Sequence, residues 1–155
     1  MPEPISICPL TTQGAAMKFF GLVMVLALAA TPAVAADVAV TINNVRNAQG
    51  VVLVAICAKA DFMHSHCGWR GRTAAHLGAV SITIRDVPPG RYAAQAFHDE
   101  NANSRLDRNV LGLPKEGMGV SNNAKMWMGR PKFDDAGFDV GPGGARIAFD
   151  LSYRK

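Results

Sequence analysis

Several short runs of this chain alternate apolar with polar or small side chains, and this two-residue period constrains the fold more than any other feature. In residues 36–45, Val38, Val40 and Ile42 occupy every second position. Successive side chains of a strand point to opposite faces, so the pattern is typical of a half-buried strand. Further strand-like runs lie at 51–57, 79–87, 91–98, 137–140 and 145–153. We expect an all-β fold: a single antiparallel β-sandwich of about seven strands.

Turn-forming residues separate these runs. Residues 47–50 lie between the first two runs, and Gly50 can take the positive φ that a tight turn needs. We therefore expect residues 36–45 and 51–57 to pair as a hairpin. The Pro-Pro-Gly sequence at 88–90 forces another turn, because proline cannot donate a ladder hydrogen bond.

Two segments, 60–77 and 99–136, have no regular period. The second is rich in Asn, Gly, Asp and Pro. Irregular segments of this length in compact domains are usually functional or internally organised. The sequence therefore predicts one long ordered loop.

Residues 17–36 have the order of features found in a secretory signal peptide. Lys18 supplies the positive charge, residues 19–30 form an apolar run, and small residues follow it. The run is short for a membrane-spanning helix. We expect cleavage after Ala35 or Ala36; an uncleaved anchor and a buried core helix are the alternatives.

The predicted signal divides the chain into three parts. Residues 1–16 precede it and are expected to be untranslated, with synthesis starting at Met17, or disordered. Residues 37–155 form the expected mature domain, which is long enough for a single core. We expect a periplasmic or secreted protein with no stable transmembrane segment after cleavage.

The basic residues indicate which partners to expect. The formal net charge is +4, yet the Lys and Arg residues are scattered and do not form a stripe with interleaved aromatic residues. Nucleic acid binding is therefore not expected. Weak attraction to an anionic membrane surface or polymer stays open, and we expect an unknown partner in the cell envelope.

Two of the three cysteines, Cys57 and Cys67, fall in the predicted mature domain, while Cys8 lies upstream. An even pair in an oxidising compartment predicts a disulfide bond.

Distinctive motifs follow one another at 87–125 and 133–140, and they read VPPGRYAAQAFHDENANSRLDRNVLGLPKEGMGVSNNAK and FDDAGFDV. This order resembles a family of secreted bacterial proteins known as domain of unknown function twenty-one forty-one (DUF2141), over nearly all of residues 37–155. The resemblance implies an exported β-sandwich similar to transthyretin-like and carboxypeptidase-regulatory-like domains. It implies no established activity.

The start of the long loop resembles the first nine positions of an EF-hand-type calcium loop. Asp99, Asn101, Asn103 and Asp107 place side-chain oxygens at positions one, three, five and nine, and the backbone carbonyl of Arg105 falls at seven. Calcium is therefore the candidate cofactor. Weak affinity would suffice outside the cytoplasm, where calcium is abundant.

Two positions depart from the calcium motif. Ser104 stands where a glycine is expected, and Val110 stands where a bidentate glutamate is expected. Glu116 or Asp135 would have to supply the missing carboxylate. The alternative is a metal-free network, since Asp and Asn also organise loops by binding backbone groups.

A second candidate site is the segment 63–67, where His64, His66 and Cys67 could bind copper or zinc. Methionines at 118, 126 and 128 would suit copper(I). The favoured interpretation is a disulfide bond with solvated histidines, because an oxidised cysteine is not a ligand.

Sequence motifs for catalysis are absent: the chain has no Gly-x-Ser-x-Gly elbow and no phosphate-binding glycine loop. We therefore expect an exported cell-envelope binding or structural module rather than an enzyme. One alternative is a small secreted hydrolase acting at the loop from His98 to Asp107, with His98 as its base. The other is copper or zinc handling at His64, His66 and Cys67.

Overall fold

The computed structural model describes residues 34–125 and 130–153. Residues 1–33, with most of the predicted signal peptide, and residues 126–129, with two of the methionines considered for copper, lie outside these ranges. In the ranges that are described, no helix is both long enough and apolar enough to cross a membrane.

The regular structure of the described residues is almost entirely β, as the alternating runs predict. It contains eight strands in the described ranges, where the sequence suggested about seven. Their bounds are β1 Ala36–Val45, β2 Val51–Cys57, β3 Trp69–Ala74, β4 Gly78–Val87, β5 Gly90–Asp99, β6 Gly117–Val120, β7 Gly137–Val140 and β8 Ala145–Asp150. A 3-10 turn at Ser121–Asn123 and a short helix, α1 (Phe133–Ala136), connect β6 to β7.

The strands form two sheets. The first has the order β4-β1-β8, and the second has the order β3-β2-β5-β6, with β7 pairing beside β6 along the other half of β5. The pairs are antiparallel except β1 with β8, which is parallel. The antiparallel sandwich is thus confirmed, with one parallel pair where the last strand returns beside the first.

The alternating residues face the core between the sheets. Val38, Val40 and Ile42 of β1 are fully buried, and so are Ile56 of β2 and Phe149 of β8. Each side chain of this size contributes about 1.5–3 kcal/mol when it leaves water. The two-residue period therefore sets both the strands and the face that each strand buries.

The predicted hairpin between the first two strands is wrong. β1 pairs with β4 and β8, whereas β2 pairs with β3 and β5. The turn at 47–50 does form, and Gly50 has φ +70°, but it crosses from one sheet to the other. A Cβ on Gly50 would overlap the carbonyl of Asp99 at the end of β5. The turn therefore packs against β5 and directs β2 to that strand.

Two short strands lie in the segments predicted to be irregular. In β3 the half-buried positions are held by Trp69, Gly71 and Thr73, which give no apolar period. In β6 two positions are glycines: a Cβ on Gly117 would overlap the ring of Tyr153, and one on Gly119 would overlap the carbonyl of Asp150. Close packing therefore requires glycine at these two positions of β6, and glycine gives no apolar signal from which to predict a strand.

The predicted disulfide is confirmed: Cys57 bonds to Cys67 across a separation of ten residues. It lies on the outer face of the five-stranded sheet, in a second small core with Phe62, Ala93, Val120 and Ala136. The bond joins the end of β2 to the end of the segment 58–68, which we call the disulfide loop. That loop is thereby held against the sheet.

Removing this bond should lower the free energy of unfolding. Replacing Cys57 and Cys67 together by alanine is expected to cost about 2–3 kcal/mol, because the unfolded chain gains the entropy of a ten-residue loop. Urea unfolding with and without a reductant measures the change. Reductant should shift the wild-type midpoint and leave the double variant unchanged; a wild-type midpoint that ignores reductant would contradict the prediction.

Candidate functional site

His98, the base of the hydrolase hypothesis, is fully buried at the end of β5. Its Nε2 lies 2.7 Å from the carbonyl oxygen of Gln49, so Nε2 donates, because a carbonyl only accepts. Its Nδ1 lies 2.9 Å from the hydroxyl oxygen of Tyr153, and that oxygen accepts the backbone N–H of Arg46. Both ring nitrogens are thus used inside the protein, and this geometry does not favour a general base.

An ion pair closes the same end of the sandwich. The Arg46 guanidinium donates through Nε and Nη2 to the two carboxylate oxygens of Glu100 and lies over the ring of Tyr153, 4.6 Å from its centroid. Asn47 donates to Glu100 as well. The Arg46 hydrogen bonds lower the pKa of Glu100, and burial raises the pKa of Tyr153. Arg46 therefore binds Glu100, the first residue of the loop that follows β5, to this end of the sandwich.

Residues 100–116 connect β5 to β6, and we call them the β5–β6 loop. Asp99, which precedes it, is fully buried. Its two carboxylate oxygens accept the backbone N–H of Asn103 at 3.0 Å and of Ser104 at 2.7 Å. Ser104 has φ +62°, so it adopts the left-handed conformation for which the calcium motif uses glycine.

Glu116 binds the start and the middle of the β5–β6 loop. Its side chain is buried, and its oxygens accept the backbone N–H of Glu100 at 3.1 Å and of Asp107 at 3.0 Å. Asp135, the other carboxylate considered for the calcium site, lies in α1, where its carbonyl accepts a hydrogen bond from Asn122. Glu116 is therefore the carboxylate that the fold brings to this loop.

Three further predicted ligands, Asn101, Asn103 and Asp107, contact one another through their side chains. Asn101 and Asn103 donate from their side-chain amides to the carboxylate of Asp107, at 2.7 and 3.1 Å. The Asn101 oxygen accepts the N–H of Asn103, and the Asn103 oxygen accepts the N–H of Arg105. These are the contacts of the metal-free polar network that the sequence left open as the alternative to calcium.

The structure thus joins Asp99, Asn101, Asn103, Asp107 and Glu116 in one hydrogen-bonded loop. Asn101 and Asn103 contact Asp107 through their side chains, whereas Asp99 and Glu116 bind backbone N–H groups. Arg105 joins them through its backbone N–H. Among the described residues, no three His, Cys, Asp or Glu side chains are arranged as a metal-binding group. Calcium binding stays a prediction.

Residues 109–113 form the tip of the β5–β6 loop. The side-chain oxygen of Asn109 accepts the N–H groups of Leu111 and Leu113, both at 3.0 Å. The backbone N–H of Asn109 donates to the Leu113 carbonyl, and that of Gly112 donates to the Asn109 carbonyl. The tip is an ordered turn that points Val110 and Leu111 into solvent. The residue at motif position twelve therefore faces away from the polar network.

A groove that sequence reasoning missed lies on the outer face of the five-stranded sheet. It consists of two adjoining pockets of about 500 and 400 Å³, which share Met63, Arg108 and Met118. Phe97 of β5 and Met118 of β6, paired across the sheet, contribute to its floor. The disulfide loop forms one wall and the β5–β6 loop forms the other.

The rim of the groove is mainly basic. Arg105, Arg108 and Lys125 line it and are exposed. Glu116 also contributes, but both its oxygens accept backbone hydrogen bonds. Asp150 accepts from the side-chain amides of Asn43 and Asn123. The cations at the rim are therefore the charges best placed to meet a ligand.

The proposed copper or zinc ligands do not form a common set. The Cys67 sulfur is bonded to Cys57, which removes the thiolate that a metal would need. The backbone carbonyl of His64 accepts a hydrogen bond from Gln95, and the His66 ring contacts its neighbour Ser65. The favoured interpretation, a disulfide bond with loop histidines, agrees with these contacts.

The ion pair at the base of the site makes stability depend on pH. Because the pKa of Glu100 is below its ordinary value of 4.5 in the folded protein, its contribution is present above pH 4.5 and is lost as pH falls through the lowered value. The difference in unfolding free energy between wild type and Glu100→Gln should therefore shrink from pH 7 to pH 3.

Urea unfolding at the two pH values measures this difference. Asp139→Asn, which removes an exposed partner of Arg91, is the control and should have a small effect. A wild-type advantage over Glu100→Gln that is equal at both pH values would contradict the assignment.

Comparison with known proteins identifies the family of this chain. No curated protein and no solved structure matches the chain. The family model described as "Uncharacterized protein conserved in bacteria (DUF2141)" matches residues 40–148, from β1 into β8 and across both loops of the groove. The match covers more than half of the chain, and the protein belongs to the DUF2141 family.

Proposed function

We propose that this chain is an exported cell-envelope binding module that holds part of a partner in the groove between the disulfide loop and the β5–β6 loop. The observation that carries the proposal is the groove itself, about 500 and 400 Å³ in two adjoining pockets. Concave sites of this size, with apolar linings and a few polar groups, are typical ligand sites.

The lining indicates the chemistry of the ligand. Phe97, Met118 and Leu106 offer an apolar surface inside the groove, and Arg105 and Lys125 place positive charge at its rim. An apolar group that carries an anion matches both features, because burial favours the first and the basic rim attracts the second. Two methionines, Met63 and Met118, can adapt to different shapes.

Both walls are held in place before any ligand binds. The Cys57–Cys67 bond fixes the disulfide loop, and buried Asp99 and Glu116 fix the β5–β6 loop. A preorganised site loses less conformational entropy on binding. This favours a binding module over a purely structural role.

The two alternative functions have less support from the described contacts. A hydrolase needs an accessible base, and His98 is buried with both ring nitrogens hydrogen-bonded. A copper or zinc site at His64 and His66 would lack the Cys67 thiolate while the disulfide bond is intact.

Binding of 8-anilinonaphthalene-1-sulfonate, an apolar anion, tests the proposed groove. Fluorescence titration of protein recovered from the periplasm of cells expressing the full chain should show binding to the folded state. Met118→Glu removes apolar floor and puts a negative charge beside the anionic dye. It should weaken binding by about tenfold or more, which corresponds to about 1.4 kcal/mol.

Leu77→Glu is the matched control, because Leu77 is exposed in the connection between β3 and β4. Equal binding by wild type and Met118→Glu, with unchanged melting temperatures, would contradict the groove. Absence of the protein from the periplasmic fraction would contradict export.

The calcium prediction has a separate test. If calcium binds the β5–β6 loop, adding it at ten times its Kd should stabilise the protein by about 1.4 kcal/mol. The rise in melting temperature should vanish in Asp107→Asn and persist in the surface control Asp139→Asn. A wild-type melting temperature that is unchanged by millimolar calcium and by chelator would leave the metal-free network as the account of this loop.

A further inference from the structure

The tip of the β5–β6 loop exposes two neighbouring aliphatic side chains. Val110 has a relative exposure of 102% and Leu111 of 78%, so both project almost completely into solvent. Single exposed apolar residues are common on protein surfaces. Two at the end of one projecting turn form a small convex apolar surface, which is different in shape and position from the concave groove.

Most backbone groups of the tip are hydrogen-bonded within the loop. The N–H groups of Leu111 and Leu113 bind the side chain of Asn109, and that of Gly112 binds its carbonyl. The Gly112 carbonyl accepts from Arg108, and the Leu113 carbonyl accepts from the Asn109 N–H. Polar backbone groups without partners are costly to move into an apolar phase. The hydrogen bonds around Asn109 therefore lower the cost of bringing this turn to an interface, where the remaining backbone groups of Val110 and Leu111 can still bind water or headgroups.

Three basic residues of the same loop, which we call the basic collar, lie within five positions of the aliphatic pair in the sequence. Arg105, Arg108 and Lys115 are exposed, whereas the carboxylates nearest the tip are withdrawn: Asp107 binds two asparagine amides and Glu116 is buried on backbone N–H groups. An apolar apex with a basic collar has the charge pattern that an anionic membrane surface attracts.

We propose that this tip docks the protein on an anionic phospholipid bilayer, with Val110 and Leu111 in the interface and the basic collar on the phosphate headgroups. A bilayer fits the convex apex because it needs no complementary pocket. Val110 and Leu111 do not line the groove, whereas Arg105 and Arg108 belong to both the collar and the groove rim. The variant of the two aliphatic residues therefore tests this inference separately from the proposed ligand site.

Co-sedimentation with vesicles tests the proposal. The protein should partition onto vesicles of equal parts phosphatidylglycerol and phosphatidylcholine and much less onto pure phosphatidylcholine. The double variant Val110→Ser/Leu111→Ser should bind the anionic vesicles about tenfold or more weakly, because it removes apolar surface from the apex. Leu77→Ser is the control, since Leu77 is also exposed but lies elsewhere, and it should bind as wild type does.

A second pair of variants tests the collar. Arg105→Gln/Lys115→Gln should weaken binding by roughly 25-fold, taking about fivefold for each basic residue near the surface. Arg72→Gln/Arg146→Gln removes the same charge from exposed positions on β3 and β8 and should have less effect. Unchanged melting temperatures show that each variant is folded.

Three outcomes would overturn the proposal. The first is equal partition onto both kinds of vesicle or onto neither, and the second is equal loss in the tip variant and in Leu77→Ser. The third is concentration-dependent self-association that the tip variant abolishes while vesicle binding is absent, because a second copy of the chain would then be the partner.

Discussion

Two buried carboxylates hold the β5–β6 loop in place. The groove and the exposed tip of this loop both depend on them. Asp99 and Glu116 together accept four backbone N–H groups of that loop. A carboxylate loses favourable hydration when it is buried, and hydrogen bonds from the backbone offset this loss. The loop becomes a fixed wall because breaking any of these bonds would leave a buried charge with fewer partners.

The same end of the sandwich carries a second polar network that joins the loop to the core. His98 links the turn before β2 to Tyr153, and Arg46 links Tyr153 to Glu100, the first residue of the loop. Among the described residues, every buried side-chain nitrogen and oxygen has a hydrogen-bond partner. A network in which every polar group has a hydrogen-bond partner favours one arrangement of the chain. This explains how a loop without regular structure forms one wall of the groove and also an exposed tip.

The sequence predicted the features that depend on the two-residue period of side chains. It missed the features that depend on close contacts between backbone segments far apart in the sequence. Alternation located β1 and its buried face correctly, and the spacing of Asp99 to Asp107 identified side chains that do meet. The hairpin failed because the contact of Gly50 with the end of β5 is not encoded in local pattern. The groove was missed because its floor includes β6, where glycines at 117 and 119 replace the apolar residues that signal a strand.

Amide hydrogen exchange of the folded protein tests the central claim, that Asp99 and Glu116 hold the loop, most directly. The N–H groups of Asn103, Ser104 and Asp107 should exchange at least about tenfold more slowly than in an unstructured chain, because opening must precede exchange. In Glu116→Gln, which has a single carbonyl acceptor, protection at Glu100 or Asp107 should fall while that of β1 is unchanged. Exchange of these loop amides at unstructured rates in the wild type would contradict the account.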